Sequence, residues 1–275
     1  IPNTYGDSLS AVVRVALKRM QSWDDSHLGT ASVQLLQIRS HLAAEPVPMS
    51  WISTTLQHSD AWPEQREALA QTPVGLWKGQ ALACRFGLSS MSSETQSQMP
   101  VQAVASSGSS SGLMKMHRLT ALMIREVAWI PGSAKARQLA EDVVVAIHPP
   151  DADSPDNWRT WSQMMPHLVE LDPSQSDNPA LRRAATRGAR FLLVRGGGQD
   201  AESFAQGLFE SWRRRLGDNH PDSLEAATML AHAFCNLGDY ERARDLDKDT
   251  LERRRRILGQ DHPDTLNSAN ALAVD

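Results

Sequence analysis

The chain has 275 residues, of which 41% are hydrophobic and 22% charged, and its formal net charge is -4; this balance excludes a disordered or fibrous protein and leaves room for two globular domains. The two cysteines, Cys84 and Cys235, are far apart without CxxC spacing, which excludes a disulfide framework or a zinc knuckle. The longest apolar runs fall far short of the roughly 18–20 residues that span a bilayer, so we expect a cytoplasmic protein without membrane contact.

Four helices and a β wing are predicted in the N-terminal part. The segments LSAVVRVALKRM, ASVQLLQIRSHLA, EPVPMSWI and PVGLWKGQALACRFGL carry the amphipathic spacing or the start signals of helices. A Ser- and Gly-rich stretch at about 91–112 is expected to be flexible, and a short strand at 113–117 then leads into another helix. Helices followed by two short strands joined by a loop are the layout of a winged helix. Residues 1–130 are therefore predicted to form a winged-helix domain with a small β wing.

The segment QLLQIRSHLAAEPVPMSWI, followed by MKMHRL, resembles the winged-helix part of the NB-ARC module in STAND signalling NTPases. Met116-His117-Arg118 stands where that family has a Met-His-Asp motif, whose histidine contacts the β-phosphate of bound ADP and helps to hold the off state. The resemblance implies that His117 senses nucleotide when an NTPase domain is present, and Arg118 departs from the motif's acidic residue. A histidine that packs or caps the strand end is the alternative that the sequence leaves open.

Phosphate-binding and catalytic motifs are absent from the sequence. It contains no GxxxxGK[ST] loop, and the glycine-rich VRGGGQD lacks the lysine and falls on a predicted turn. No spacing matches HExxH, GxSxG or a cysteine–histidine nucleophile. We therefore expect no catalytic site, no metal site and no cofactor in this chain. It starts without methionine and stops within a predicted helix, so we expect a fragment of a longer protein whose upstream NTPase domain would bind ADP or ATP.

Residues 131–177 are predicted to be connecting and capping helices. KARQLAEDVVVAI and WRTWSQMMPHLVEL have helical patterns, and the polar break HPPDADSPDN separates them. Trp158, Trp161 and Met165 fall on one face of the second helix, which is expected to join the core rather than to form a ligand platform. The two helices are expected to pair and to join the repeats that follow.

An internal repeat occupies the C-terminal part. His220-Pro221-Asp222 and His262-Pro263-Asp264 lie 42 residues apart, each after a Leu-Gly pair, and a third, diverged copy starts at Pro179. A period of this length indicates a solenoid of helix–turn–helix units. Because proline fits the first turn of a helix and an acidic residue suits its positive end, we interpret the tripeptide as a helix start rather than a metal or acid/base pair. The arginine run 253–256, with acidic neighbours, is interpreted as a solvated helix face.

Within one unit the order Leu230-Ala231, Phe234, Gly238-Asp239-Tyr240 and Ala243 resembles a tetratricopeptide repeat, and the LGxxHPDTL lead-in resembles the kinesin-light-chain-like subclass. The resemblance covers 178–275, with the last unit truncated, and implies that the first helices of successive units line a concave groove that binds peptides or protein segments. Exposed polar positions without a ligand are the alternative. The implied groove residues are Arg183, Thr186, Arg190, Glu225, Thr228, His232, Asn236, Asn267 and Asn270.

The predicted fold class is mainly α: a winged-helix domain with a small β wing, followed by an α-solenoid of tetratricopeptide-like helix pairs. The leading functional hypothesis is a non-catalytic sensor fragment of a STAND-type signalling ATPase, which binds a protein or peptide partner through its repeats. The alternative is a DNA-binding transcriptional regulator with a repeat-based effector-binding arm. Residues 1–130 hold ten lysine and arginine residues against nine acidic ones, without the basic excess of a DNA-binding face, so nucleic acid is not the expected partner.

Overall fold

The structure, a computed structural model, describes residues 4–23, 26–58, 73–93, 112–126 and 133–274. The described residues are predominantly helical, which confirms the predicted mainly-α class, and a single small sheet accompanies the helices. The chain divides into two compact units, Ile1–Ile147 and His148–Asp275. Among the described residues, no helix combines the length and the apolar character needed to cross a bilayer.

Helices form the bulk of the first unit, and those predicted before residue 90 are all present. Three strands interrupt the helical order, one between the second and third helices and two after the fourth. In chain order the elements are α1 (Thr4–Gln21), α2 (Ser26–Ser40), β1 (Val47–Pro48), α3 (Met49–His58), α4 (Pro73–Arg85), β2 (Ser90–Ser93), β3 (Gly112–Lys115), α5 (Arg118–Glu126) and α6 (Ser133–Ile147).

The sheet has the strand order β1-β3-β2 with antiparallel pairing throughout. Met114 in the central strand is the partner of both Val47 and Met91. The predicted strand at 113–117 ends at Lys115, earlier than expected, and His117 beyond it caps the start of α5. Part of the stretch predicted to be flexible is strand, since β2 pairs with β3 along its whole length; residues 94–111 lie outside the described residues.

Helix α2 lies at the centre of the first unit, where it contacts α1, α4, α5 and α6. Its apolar side chains from Ala31 to Ile38 are buried, and its polar side chains Ser32, Gln34, Gln37 and Arg39 are buried as well. The amphipathic pattern predicted for this helix is therefore wrong. Neighbours cover it on every side, and a helix without a solvent face has no exposed stripe to keep polar.

Arg39 fixes the end of this central helix. Its guanidinium, which is fully buried, donates hydrogen bonds of 2.6–3.4 Å to the carbonyl oxygens of Leu42, Ala43, Ala44, Glu45 and Met114. Burial lowers the pKa of Arg39 to about 10, so the side chain stays charged at neutral pH. A charged group is tolerated in a core only with such a complete set of partners, and here they join the turn after α2 to strand β3.

The two helices predicted as a connector belong to different units. Helix α6 packs against α2 and α3 in the first unit. The second helix, α7 (Trp158–Glu170), packs against the first repeat helix in the second unit. The boundary between the units falls between Ile147 and His148, within residues 131–177, which are predicted from the sequence to form one connecting region.

The second unit is a stack of antiparallel helices. A short 3-10 turn, Pro155–Asn157, precedes α7, and two helix pairs and one further helix follow: α8 (Pro179–Val194) with α9 (Gly198–Leu216), α10 (Pro221–Asn236) with α11 (Tyr240–Leu258), and α12 (Pro263–Val274). Helix α10 contacts α8, α9 and α11, so neighbouring units share one core. This arrangement fits the predicted α-solenoid.

The start of each repeat unit is built in the same way, at intervals of 42 residues. Asn178 precedes α8 and accepts from the backbone N–H of Ala180 at 2.9 Å. His220 and His262 stand in the same position before α10 and α12, and the Nδ1 of each accepts from the backbone N–H two residues later at 3.2 Å. The interpretation of the repeated His-Pro-Asp as a helix start is confirmed, and the imidazole itself is the cap.

The ends of the second helices repeat as well. Gly217 follows α9 with a φ of 98°, and Gly259 follows α11 with a φ of 90°. These angles lie in the region that favours glycine over all other residues. Starts and ends of the units thus recur with one period in both sequence and backbone conformation.

Small and large apolar side chains fill the core between the repeat units. Alanines allow the helices to approach closely, and larger side chains fill the remaining space. Trp161 of α7 is fully buried and stacks on Phe191 of α8 with 5.9 Å between ring centroids, which confirms its predicted place in the core. One buried cluster consists of Ala189, Leu193, Ala201, Ala205, Met229, Leu230, Ala233, Phe234 and Ala243.

Candidate functional site

The first helices of the three successive units, α8, α10 and α12, line an open cavity of about 600 Å³. Its polar part consists mainly of side-chain amides, and its apolar part of aliphatic side chains and one tyrosine. We call it the asparagine cavity. Its lining residues are Arg190, Leu193, Val194, His232, Cys235, Asn236, Tyr240, Asn267, Asn270 and Ala271.

A second cavity of about 490 Å³ lies at the N-terminal ends of the same first helices, next to the C-terminal end of α11. It contains side chains of both charges, and we call it the arginine cavity. Its lining residues are Arg183, Thr186, Arg187, Asn219, Pro221, Asp222, Leu224, Glu225, Arg254, Ile257, Leu258, His262 and Asp264.

Eight of the nine groove residues predicted from the sequence line these cavities. Five lie in the asparagine cavity, namely Arg190, His232, Asn236, Asn267 and Asn270, and three in the arginine cavity, namely Arg183, Thr186 and Glu225. Thr228 lines neither. Its hydroxyl donates to the carbonyl of Leu224, and the Thr186 hydroxyl donates to the carbonyl of Arg183, so both threonine protons are already used within their own helices.

The asparagine cavity offers hydrogen-bonding groups without negative charge. The side chains of Asn267 and Asn270 are exposed on α12 and form no hydrogen bond to any residue that the structure describes. Asn236 donates one long bond, 3.4 Å, to the carbonyl of Leu193. Each primary amide supplies donors and an acceptor in one plane, as a peptide group does. Val194 and Tyr240 add exposed apolar surface to the same cavity.

Arg190 is engaged by a carboxylate that the sequence analysis did not single out. Its Nε and Nη2 donate to the two carboxylate oxygens of Asp153, at 2.7 and 3.1 Å. This bond holds the pKa of Asp153 below its usual range and raises that of Arg190. The acidic run DADSPD is visible in the sequence, but nothing in it predicts that the chain folds back onto α8.

The arginine cavity is held together by a buried arginine that the sequence analysis missed. Arg254 donates to Glu225 at 3.1 Å and to Ser268 at 2.6 Å, and its side chain is only 5% exposed. The interpretation of run 253–256 as a solvated face is therefore wrong at Arg254, because the start of α12 covers it. The Glu225 carboxylate is thus already paired with Arg254, whereas the side chain of Arg183 is exposed.

His117 lies in the first unit, at the junction of β3 and α5. Its Nδ1 accepts from the backbone N–H of Leu119 at 3.2 Å, and its side chain is exposed. The structure thus gives this histidine a capping role at the start of α5. A role in nucleotide sensing stays a prediction.

The comparison with known families concerns the repeats. A family model described as tetratricopeptide repeat matches residues 183–222 and again residues 223–264. Residues 183–264 are thus similar to tetratricopeptide repeats. The two matches end at Asp222 and Asp264, which lie 42 residues apart, at the starts of α10 and α12. No curated protein matches the chain at a significant level. These repeats are generally associated with protein–protein interaction. The asparagine cavity is lined by the first helices of the two matched units, α8 and α10, and by α12, most of which follows the second match.

Proposed function

We propose that the second unit binds an extended segment of a partner protein in the groove formed by α8, α10 and α12. The observation that carries this proposal is the lining of the asparagine cavity, where two unbonded amides on α12 face an arginine and apolar groups on α8. A peptide in extended conformation leaves its backbone N–H and C=O groups unpaired, and asparagine side chains can satisfy both. Exposed Val194 and Tyr240 would receive an apolar side chain of the same segment.

The wider context we propose is a regulatory, non-catalytic part of a STAND-type signalling ATPase. Its support is the order of elements in the first unit, where helices precede a two-stranded hairpin as in a winged helix, and a third strand, β1, pairs with β3. His117 would sense the nucleotide, ADP or ATP, held by an upstream NTPase domain, and the protein would act in the cytoplasm. Binding of the partner by the repeats would then bias the nucleotide-dependent arrangement of such a protein.

Partner capture by an immobilised chain tests the groove. Asn267→Ala combined with Asn270→Ala should reduce capture by about tenfold or more. Each substitution removes a side-chain amide that can form up to two hydrogen bonds with the backbone of an extended peptide. The matched control is Arg244→Ala combined with Lys248→Ala, on the exposed face of α11 and outside both cavities. A partner that both double variants retain equally would exclude the asparagine cavity as its binding site.

A second candidate function is binding of duplex DNA by the first unit. The observation that favours it is the solvent face of α4, the helix before the hairpin, which carries Trp77, Lys78 and Arg85. Titration with short duplex DNA at low salt tests it. Affinity that falls steeply with salt and is lost in Lys78→Glu with Arg85→Glu would support this function, and no binding at low salt would exclude it.

A further inference from the structure

Residues 148–157 connect α6 to α7 and lie against α8. We call them the acidic segment. Hydrogen bonds from side chains of the segment itself and of α7 hold its backbone in place. Asp151 accepts at its carbonyl from the side chains of Asn157 (2.8 Å) and Trp161 (3.4 Å), and Ala152 accepts from Trp158 (3.3 Å). The position of this segment therefore does not depend on its side-chain contacts with α8.

Two side chains of the acidic segment reach α8. His148 Nε2 lies 2.7 Å from Nη1 of Arg187, and Asp153 accepts both bonds from Arg190 described above. The second contact has the planar, two-bond geometry in which arginine recognises carboxylates. Arg190 is also the one permanently charged side chain among the described residues that line the asparagine cavity.

We infer that Asp153 occupies the place of a carboxylate of the groove's ligand, so that the ligand is an acidic peptide that displaces Asp153 from Arg190. This inference rests on the proposed function and specifies its ligand. The cavity supplies the remaining contacts: amides on α10 and α12 for the peptide backbone, and Val194 with Tyr240 for an apolar neighbour of the acidic residue.

The exposure of the pair makes this exchange feasible. The side chains of Arg190 and Asp153 are 43% and 54% exposed, so water screens the pair and an incoming carboxylate can replace Asp153 without burying an unpaired charge. Exposed pairs of this kind are weak, and a competitor of such strength lowers the apparent affinity of a ligand by about fivefold. Removal of the Asp153 carboxylate should therefore raise the apparent affinity for the ligand by the same factor.

The test uses the whole chain and two pools of synthetic octapeptides. The pools are identical, with uncharged residues at random positions, except that the central residue is fixed as aspartate in one pool and asparagine in the other. Retention of each pool is measured on the native chain, on Asp153→Asn and on Asp156→Asn. The last variant is the matched control, because Asp156 is an exposed carboxylate of the same segment without a bond to α8. Circular dichroism establishes that the three proteins have equal helicity.

We expect Asp153→Asn to retain the aspartate pool about fivefold better than the native chain and Asp156→Asn. The asparagine pool should be retained equally by all three. Equal retention of the aspartate pool by Asp153→Asn and Asp156→Asn overturns the inference. If Asn267→Ala with Asn270→Ala still lowers retention about tenfold or more in that case, the proposed function stands without the inference. Retention of neither pool by any protein overturns both.

Discussion

Three histidines perform the same local task in different parts of the chain. His117, His220 and His262 each precede a helix, and each accepts at Nδ1 from the backbone N–H two residues later. Asparagine, serine, threonine and aspartate usually take this position, and in the first repeat Asn178 does so. In this geometry the imidazole caps the helix through its Nδ1 acceptor. The repeated histidine–aspartate pairs at 220/222 and 262/264 are therefore explained by helix capping.

His220 gives the quantitative test of this role. His220→Ala should lower the free energy of unfolding by about 1 kcal/mol, because the first turn of α10 loses the acceptor of one N–H. His220→Asn should stay within about 0.5 kcal/mol of the native chain, since Asn178 already caps α8 in the equivalent place. Urea denaturation monitored by circular dichroism measures both. Equal destabilisation by the two substitutions would assign the imidazole a role beyond capping.

His41 connects stability to pH. Burial lowers its pKa from 6.5 to about 4, and the nearby cations Arg125 and Arg137 contribute in the same direction. Below about pH 6.5 the unfolded chain binds a proton that the folded chain excludes, so stability falls as the pH decreases toward about 4. Because the ring is partly exposed, we expect a loss of about 1–3 kcal/mol over this range.

Urea midpoints of the native chain and of His41→Gln, measured between about pH 4 and pH 7, check this prediction. Glutamine keeps a polar side chain of similar length but does not titrate. Its curve should therefore be flatter across this range than the native curve. Parallel curves would show that other groups cause the pH dependence.

At the scale of elements, the sequence predicted what local chemistry determines. The period of 42 and the proline that starts the first helix of each unit identify the units, and a Leu-Gly pair marks the second and third. The proline and the glycine each have a direct physical reason in helix capping. Elements whose surroundings are non-local were predicted less well. Helix α2 has Gln34, Gln37 and Arg39 in positions that suggest a solvent face, yet four helices cover it. The residue pattern of α2 by itself does not predict these neighbouring helices.

Strand boundaries show the same limit. The strand expected at 113–117 ends at Lys115, because the side chain of His117 turns toward the next helix. Strand β2 falls in a serine-rich stretch that the composition marks as flexible, and it exists through its pairing with β3. Pairing partners distant in sequence override local preference in short strands.

At the scale of the whole molecule, the sequence indicated most of the candidate residues that line the two cavities, but not the contacts that these residues make. Alignment of the units placed eight of nine candidate residues on the two cavities. Asp153 and Arg254 were missed because their roles depend on contacts between positions 37 and 29 residues apart, Asp153 with Arg190 and Glu225 with Arg254. Such contacts follow from how helices stack, and a single sequence contains no direct signal for them.

The division into two units predicts that residues 148–275 fold on their own. Their core, from Trp161 to Leu251, lies within the unit, so the isolated polypeptide should keep its helical circular dichroism and unfold cooperatively. Residues 178–275 should be less stable by about 3 kcal/mol or more, since they lack α7 and leave Phe191 without the stacked ring of Trp161. Equal unfolding midpoints for the two polypeptides would show that α7 does not stabilise the repeats.

The recurrence of helix starts and ends has a consequence for how such a gene can change. Proline at 221 and 263 and glycine at 217 and 259 give every junction between units the same backbone conformation. Unequal recombination between the two coding stretches would insert or delete a whole unit of 42 codons, and each new junction would reproduce one that already folds. The groove could thus lengthen or shorten in steps during evolution without the invention of a new loop.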